Sequence, residues 1–238
     1  MKNKKNSKLI NYSKNALLGL ACLILYFIIP DIQLEFLNLF NVNYIDMSTT
    51  LKVIYLIIWE ILTICIILGI LNKKIIRDFN NIKKNHKEYY KKYFKFWLIS
   101  VAIMMLSNFI INIIITDGIA ANEQTLRDTF KISPLYVFFS SVIYAPLVEE
   151  LVFRQSLKNI FPNKILFIII SGIIFGGLHV ITGFSSPIDL LYLIPYCAPG
   201  FAFAYILADS DNIFIPISLH FMHNGILIAL QFMLLIFS

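Results

Sequence analysis

The chain has 238 residues, 58% of them hydrophobic and only 14% charged, with a formal net charge of +6. A water-soluble domain of this length does not carry so large an apolar share. The apolar residues also run continuously rather than alternating, which argues against a β-barrel. What remains is an all-α, polytopic transmembrane helix bundle, because lipid offers no partner to an open strand edge.

A spanning helix needs roughly 20 apolar residues. Taken in chain order, seven segments read as spans: Ala16–Pro30, Leu51–Leu71, Phe96–Thr116, Pro134–Phe153, Ile165–Ile181, Ile188–Leu207 and Ile213–Phe237. The first is the shortest, and basic residues from Lys2 to Lys14 precede it as they would a signal peptide. No small-residue cleavage site follows; Pro30, Asp31 and Gln33 stand there instead, so an uncleaved anchor is expected. Asp31, Glu35 and Asp46 give the next connection an acidic character. The second segment carries one buried acid, Glu60, beside Trp59. It reads either as a functional group or as a hydrogen-bonded packing partner.

The stretch from Lys73 to Lys95 holds Lys73, Lys74, Arg77, Lys83, Lys84, Lys87, Lys91, Lys92 and Lys95. With Tyr89, Tyr90, Tyr93 and Phe94 among them, it is expected to be a basic interfacial loop. Lys158 and Lys164 follow the fourth segment. The positive-inside rule then puts the N-terminus and the loops after segments two and four in the cytoplasm. A basic run beside spans reflects topology and contact with lipid headgroups, so no nucleic-acid partner is expected. Ser133-Pro134 and Ser186-Pro187 each pair a cap residue with a first-turn proline. Pro195 and Pro199-Gly200 interrupt the sixth segment, as an ordinary kink or as a bend around a cavity. Cys22, Cys65 and Cys197 lack metal-type spacing and are expected to be packing residues. One integral-membrane domain, 1–238, is expected, with its functional polarity within 140–225.

That polarity is specific. Glu149, Glu150 and Arg154 lie in the fourth segment, Phe175 and His179 in the fifth, and His220 and Asn224 in the seventh. Charges in hydrocarbon are costly and usually have a task. Successive helical residues point about 100° apart, so Glu149 and Glu150 face different ways. Arg154, four residues after Glu150, is placed to pair with it. Glu149 is left without a neighbour on its own helix, as a candidate general base or acid. His220 and Asn224 share a face and can hydrogen-bond an oxyanion as it forms. His223 lies at the edge of that face and receives no role. Gly172 and Gly176 form a small-xxx-small pattern expected to bring the fifth segment against the fourth or seventh. Counted from the cytoplasmic ends at about 1.5 Å per residue, Glu149 and His220 lie roughly 12–14 Å deep, Asn224 roughly 18 Å and His179 roughly 22 Å. His179 is thus out of level with the others.

The sequence lacks HExxH, GxSxG and GxGD, so the chemistry expected is a Glu-activated water attacking a peptide carbonyl. Two versions are open. Glu149, His179 and His220 would make a two-His, one-carboxylate zinc set. The version without any cofactor gives every group a role and is favoured.

The three motifs, EExxxR at 149–154, FxxxH at 175–179 and HxxxN at 220–224, resemble those of the CPBP family, the CAAX prenyl protease and bacteriocin-processing intramembrane proteases, also called Abi. The resemblance covers about Ser140 to Gly225, including the stretch Gly200–Ile217. It implies a membrane-embedded endopeptidase in which Glu149 activates water with help from His179. His220 and Asn224 would hold the oxyanion, and Glu150 and Arg154 would form a structural pair. It also implies a membrane-associated peptide or protein substrate, and residence in the cell membrane, here a bacterial plasma membrane. The Ile-, Asn- and Lys-rich composition suggests an AT-rich bacterial genome, where prenylated proteins are not the expected targets; by analogy with the family, the resemblance then implies peptide pheromone or bacteriocin precursors, or bacteriocin self-immunity. Some relatives of this kind act as non-catalytic immunity or scaffold proteins, which is the alternative reading. A proton-coupled transporter would also bury Glu and His, but the internal repeats expected of one are absent from the sequence. Oligomeric state is not legible.

Overall fold

In the computed structural model, residues 2–114 and 120–237 are described, except for the side chains of residues 2–6, 8 and 234–237. Ile115 and Thr116, at the predicted end of the third segment, lie outside the described residues, as do the side chains of Lys2, Lys4, Lys5 and Lys8. The protein is a helical bundle, and among the described residues seven helices are long and apolar enough to cross a membrane. These are α1 (Lys2–Asn38), α2 (Thr49–Ile70), α3 (Asn72–Ile114), α5 (Pro134–Ile160), α6 (Lys164–Ile181), α7 (Leu193–Ser210) and α8 (Phe214–Phe237). A short amphipathic helix, α4 (Ala121–Ile132), lies between α3 and α5 and was not among the predicted segments. Its Phe130 is buried while Glu123 pairs with Arg127 and Asp128 with Lys131.

Three expectations need correction. First, Lys73–Lys95 is not a loop but the first half of α3. The stretch lacks Gly and Pro, and Asp78, Ile82, Tyr89, Tyr93 and Trp97 recur along one side to pack inward. That stripe has the helical period; Lys74 joins it one turn before Asp78, and the other lysines occupy the rest of the circumference. Second, α1 runs on through Pro30 to Asn38, so Asp31 and Glu35 are helical rather than in a loop. Third, Pro195 and Pro199-Gly200 do not end the helix: Pro195 stands in the first turn of α7 and Pro199 inside it, and both line the cavity that Glu149 also lines. Of the two Ser-Pro pairs, Ser186 caps a short 3-10 turn, Pro187–Tyr192, with Asp189 completing the box. Ser133 makes no side-chain cap bond.

The core gathers around the second half of α5, where every residue from Leu151 to Ser156 is buried. Val148, Leu151, Val152 and Phe153 pack with Phe167 and Phe175 of α6, Ala204 and Leu207 of α7, and Ile213 and Ile217. The glycine stripe on α6 faces α7, not the fourth or seventh predicted segments. A Cβ on Gly176 would lie 2.9 Å from the Cys197 backbone nitrogen, and one on Gly200 would lie 2.9 Å from the Gly172 carbonyl oxygen. The three cysteines are free, and Cys65 is exposed rather than packed inside.

One end of the bundle is held by ion pairs. Lys74, Arg77 and Lys158 meet Asp211, and Lys92 and Lys164 meet Asp209. Beneath them Asp78, 1% exposed, accepts from the backbone N–H of Ile213 at 2.9 Å and from Lys74 at 2.6 Å. A carboxylate at a helix start offsets both the unpaired N–H groups and the dipole. Asn212 and Ile213 are buried as well, so the residues that lead into α8 lie inside the bundle while Asp211 beside them is exposed.

Candidate active site

Helix α5 carries two stretches of wider, π-type turn, Phe139–Tyr144 and Leu151–Ser156. Such turns leave carbonyls that the next N–H does not reach, and they occur at functional sites. The Ala145 N–H bonds back to Ser140 O, so the following N–H would be due at Ser141 O. That next residue is Pro146, which has none. The Asn224 amide fills the vacancy, its Nδ2 donating to Ser141 O at 2.7 Å. The second wide turn is satisfied likewise, Ser156 donating to Leu151 O at 2.9 Å and Ser171 to Phe153 O at 2.5 Å.

Glu149, Phe175, His179, His220 and Asn224 line one cavity of about 1020 Å³. Glu150 and Arg154 lie behind it, both 0% exposed. Glu149 Oε2 is 3.9 Å from His220 Nε2, too far for a direct hydrogen bond, so neither group is consumed by the other. Glu150 does more than the expected pairing. Its Oε1 accepts from His220 Nδ1 at 2.9 Å, while Oε2 lies 3.3 Å from Arg154 Nε without hydrogen-bond alignment. Arg154 instead sits over the Phe175 ring, 3.8 Å from guanidinium carbon to ring centre. A weakly hydrated planar cation is suited to such a face. This gives the Phe of FxxxH a physical task.

The two histidines are oriented in the same manner. His179 Nδ1 lies 2.9 Å from Phe175 O, a carbonyl that can only accept, so Nδ1 carries the proton and Nε2 a lone pair. His220 Nδ1 faces a carboxylate, so its Nε2 supplies a lone pair when neutral and donates only when the ring holds both protons. Tyr196 stacks on His179 at 5.0 Å and Phe203 on His220 at 5.1 Å. Neither was singled out from the sequence. They lie seven apart on α7, two turns along one face, but aromatic residues in an apolar helix give no contrast by which to notice them. His223, left without a role, also lines the cavity.

Each ring is held as metal-ligating histidines are. Even so, among the described residues no three His, Cys, Asp or Glu side chains gather closely enough to hold a metal ion. The set Glu149, His179 and His220 therefore does not fit a zinc centre as placed. Glu60 is hydrogen-bonded: its Oε1 accepts from Ser140 at 2.7 Å and Tyr136 at 3.2 Å, which ties α2 to the first wide turn.

Three known proteins are similar over parts of the chain. A Bacillus subtilis protein named "Putative membrane peptidase YdiL" is 33% identical over 113 residues, covering 46% of this chain and 43% of its own. An uncharacterized Mycoplasma capricolum protein is 31% identical, covering 56% of this chain and 43% of its own. The membrane-embedded CAAX protease MroQ of Staphylococcus aureus is 27% identical, covering 80% of this chain and 78% of its own. The chain thus spans less than half the length of the first two relatives. No solved structure matches it. Residues 131–226, which hold Glu149, His179, His220 and Asn224, match the family model for type II CAAX prenyl endopeptidases of the Rce1-like kind.

Proposed function

We propose that the protein is an intramembrane endopeptidase that hydrolyses peptide bonds of membrane-associated peptides or proteins. The observation that carries this reading is the convergence of Glu149, His179, His220 and Asn224 on one cavity, with the Glu149 carboxylate unclaimed by a hydrogen bond among the described residues. Glu149 takes a proton from water as the water oxygen bonds to the carbonyl carbon. His179 Nε2, a lone-pair nitrogen, accepts a hydrogen bond from the same water and orients it. The carbonyl oxygen becomes an oxyanion held by the second Asn224 N–H and by His220 Nε2–H in the doubly protonated ring. The proton on Glu149 passes to the leaving amide nitrogen, the C–N bond breaks, and a carboxylic acid and an amine result. Glu150 and Arg154 hold His220 and Phe175 in place. Peptide pheromone or bacteriocin precursors, or a part in self-immunity, suit the family resemblance.

The test is cleavage of a panel of tagged precursor peptides by the purified protein in liposomes, wild type against Glu149→Ala, with and without a strong zinc chelator. Specific products that vanish in the variant and persist with chelator support the reading. Loss of cleavage on chelation, restored by zinc, would overturn its metal-free part. Immunity that survives Glu149→Ala in cells would favour the scaffold role instead.

A further inference from the structure

The cavity that holds Glu149 is walled not only by α5, α6 and α8 but also by α4 and the last turns of α3, through Asn112, Gln124, Arg127, Met105 and Phe109. Helix α4 lies between the end of α3, at Ile114, and the start of α5, at Pro134. In an up-and-down bundle this is the end opposite the α7–α8 turn, where Lys74, Arg77, Lys92, Lys158 and Lys164 cluster. The two ends differ in charge. The α7–α8 end adds exposed Lys83, Lys84, Lys87, Lys91 and Lys95. On α4, Glu123 pairs with Arg127 and Asp128 with Lys131, leaving the mouth without a net field. The basic end belongs in the cytoplasm.

Resting on the protease reading, we propose that the catalytic cavity opens to the extracytoplasmic side, beneath α4, and takes an extended amphiphilic peptide lying at the outer membrane interface. The mouth matches that chemistry on both of its sides. Asn108, Asn112, Asn122 and Gln124 offer side-chain amides, each both donor and acceptor, to a peptide backbone. Met105 and Phe109, both 64% exposed on the lipid side of α3, offer an apolar wall to its side chains. Internally paired charges select for no particular sign of substrate.

The experiment is thiol labelling in intact cells, in a background with Cys22, Cys65 and Cys197 replaced by Ala. The probe is a small membrane-impermeant methanethiosulfonate. Gln124→Cys and Glu149→Cys are expected to label from outside, and Lys84→Cys only after permeabilisation. Adding Gln124→Trp, or Met105→Trp should the first not fold, is expected to slow labelling of Glu149→Cys at least tenfold. Labelling of Lys84→Cys but not Gln124→Cys in intact cells would overturn the orientation. Labelling of Glu149→Cys at an unchanged rate in both Trp variants would overturn the entrance. Neither readout requires turnover, so a failure of the protease reading leaves them standing. In an active protein, an adduct on Gln124→Cys is expected to lower kcat/KM at least tenfold; unchanged cleavage would count against the route.

Discussion

Pro146 acts through a hydrogen that it lacks. Because no N–H follows that of Ala145, the Ser141 carbonyl is free to take the Asn224 amide. Pro146→Ala supplies a competing N–H. Its kcat is expected to fall, though by less than the roughly 10²–10³-fold cost of deleting an oxyanion donor outright, while the melting temperature holds or rises. Unchanged kcat would show that Asn224 is not positioned in this way. Arg154 makes a second case. Arg154→Lys keeps the charge but loses the planar contact with Phe175, worth up to about 2 kcal/mol when desolvated. The expected result is a lower melting temperature together with weaker cleavage, because Glu150 also orients His220. The polar members of the site were legible in the sequence because charge and amide groups stand out in hydrocarbon. The Pro146–Ser141–Asn224 link was not, since it depends on a wide turn meeting a residue 83 positions away. Nor was the contact of His220 with Glu150, which joins two helices.

At the scale of elements, the fate of α3 shows what polarity hides. Nine basic residues between Lys73 and Lys95 read as a loop, yet the period of Asp78, Ile82, Tyr89 and Tyr93 is helical. The lone acid among those residues is its structural centre. Asp78→Ala leaves Lys74 with Asp211 alone and the Ile213 N–H at the start of α8 without its acceptor, and removing one partner of a buried pair costs up to about 3–5 kcal/mol. A melting temperature within a degree of wild type would contradict this account of the α7–α8 turn. Asp211, between α7 and α8, adds a pH dependence. Partial burial pushes its carboxyl up, but the hydrogen bond from Lys158 and the charges of Lys74 and Arg77 outweigh that and hold it below the ordinary carboxylate range. With its folded pKa depressed, its stabilisation is present above the unfolded pKa and is lost as pH falls through the folded one. Asp211→Asn should therefore flatten the acid side of a stability–pH profile, and an unaltered profile would count against the network.

Across the whole molecule, continuous apolar runs were sufficient to place seven spans, because length and hydrocarbon thickness are matched. Which helices touch was less legible. The glycines of α6 announced close packing without saying that α7 was the partner. The bundle nonetheless brings three separate motifs to one cavity, and the central claim is that Glu149 is the base there. Its most direct test is the single-turnover cleavage rate of Glu149→Gln in liposomes, with folding checked by an unchanged melting profile. A fall of about 10²–10⁴-fold, the range for losing a general base, is the predicted result. A rate within a few-fold of wild type would contradict the account.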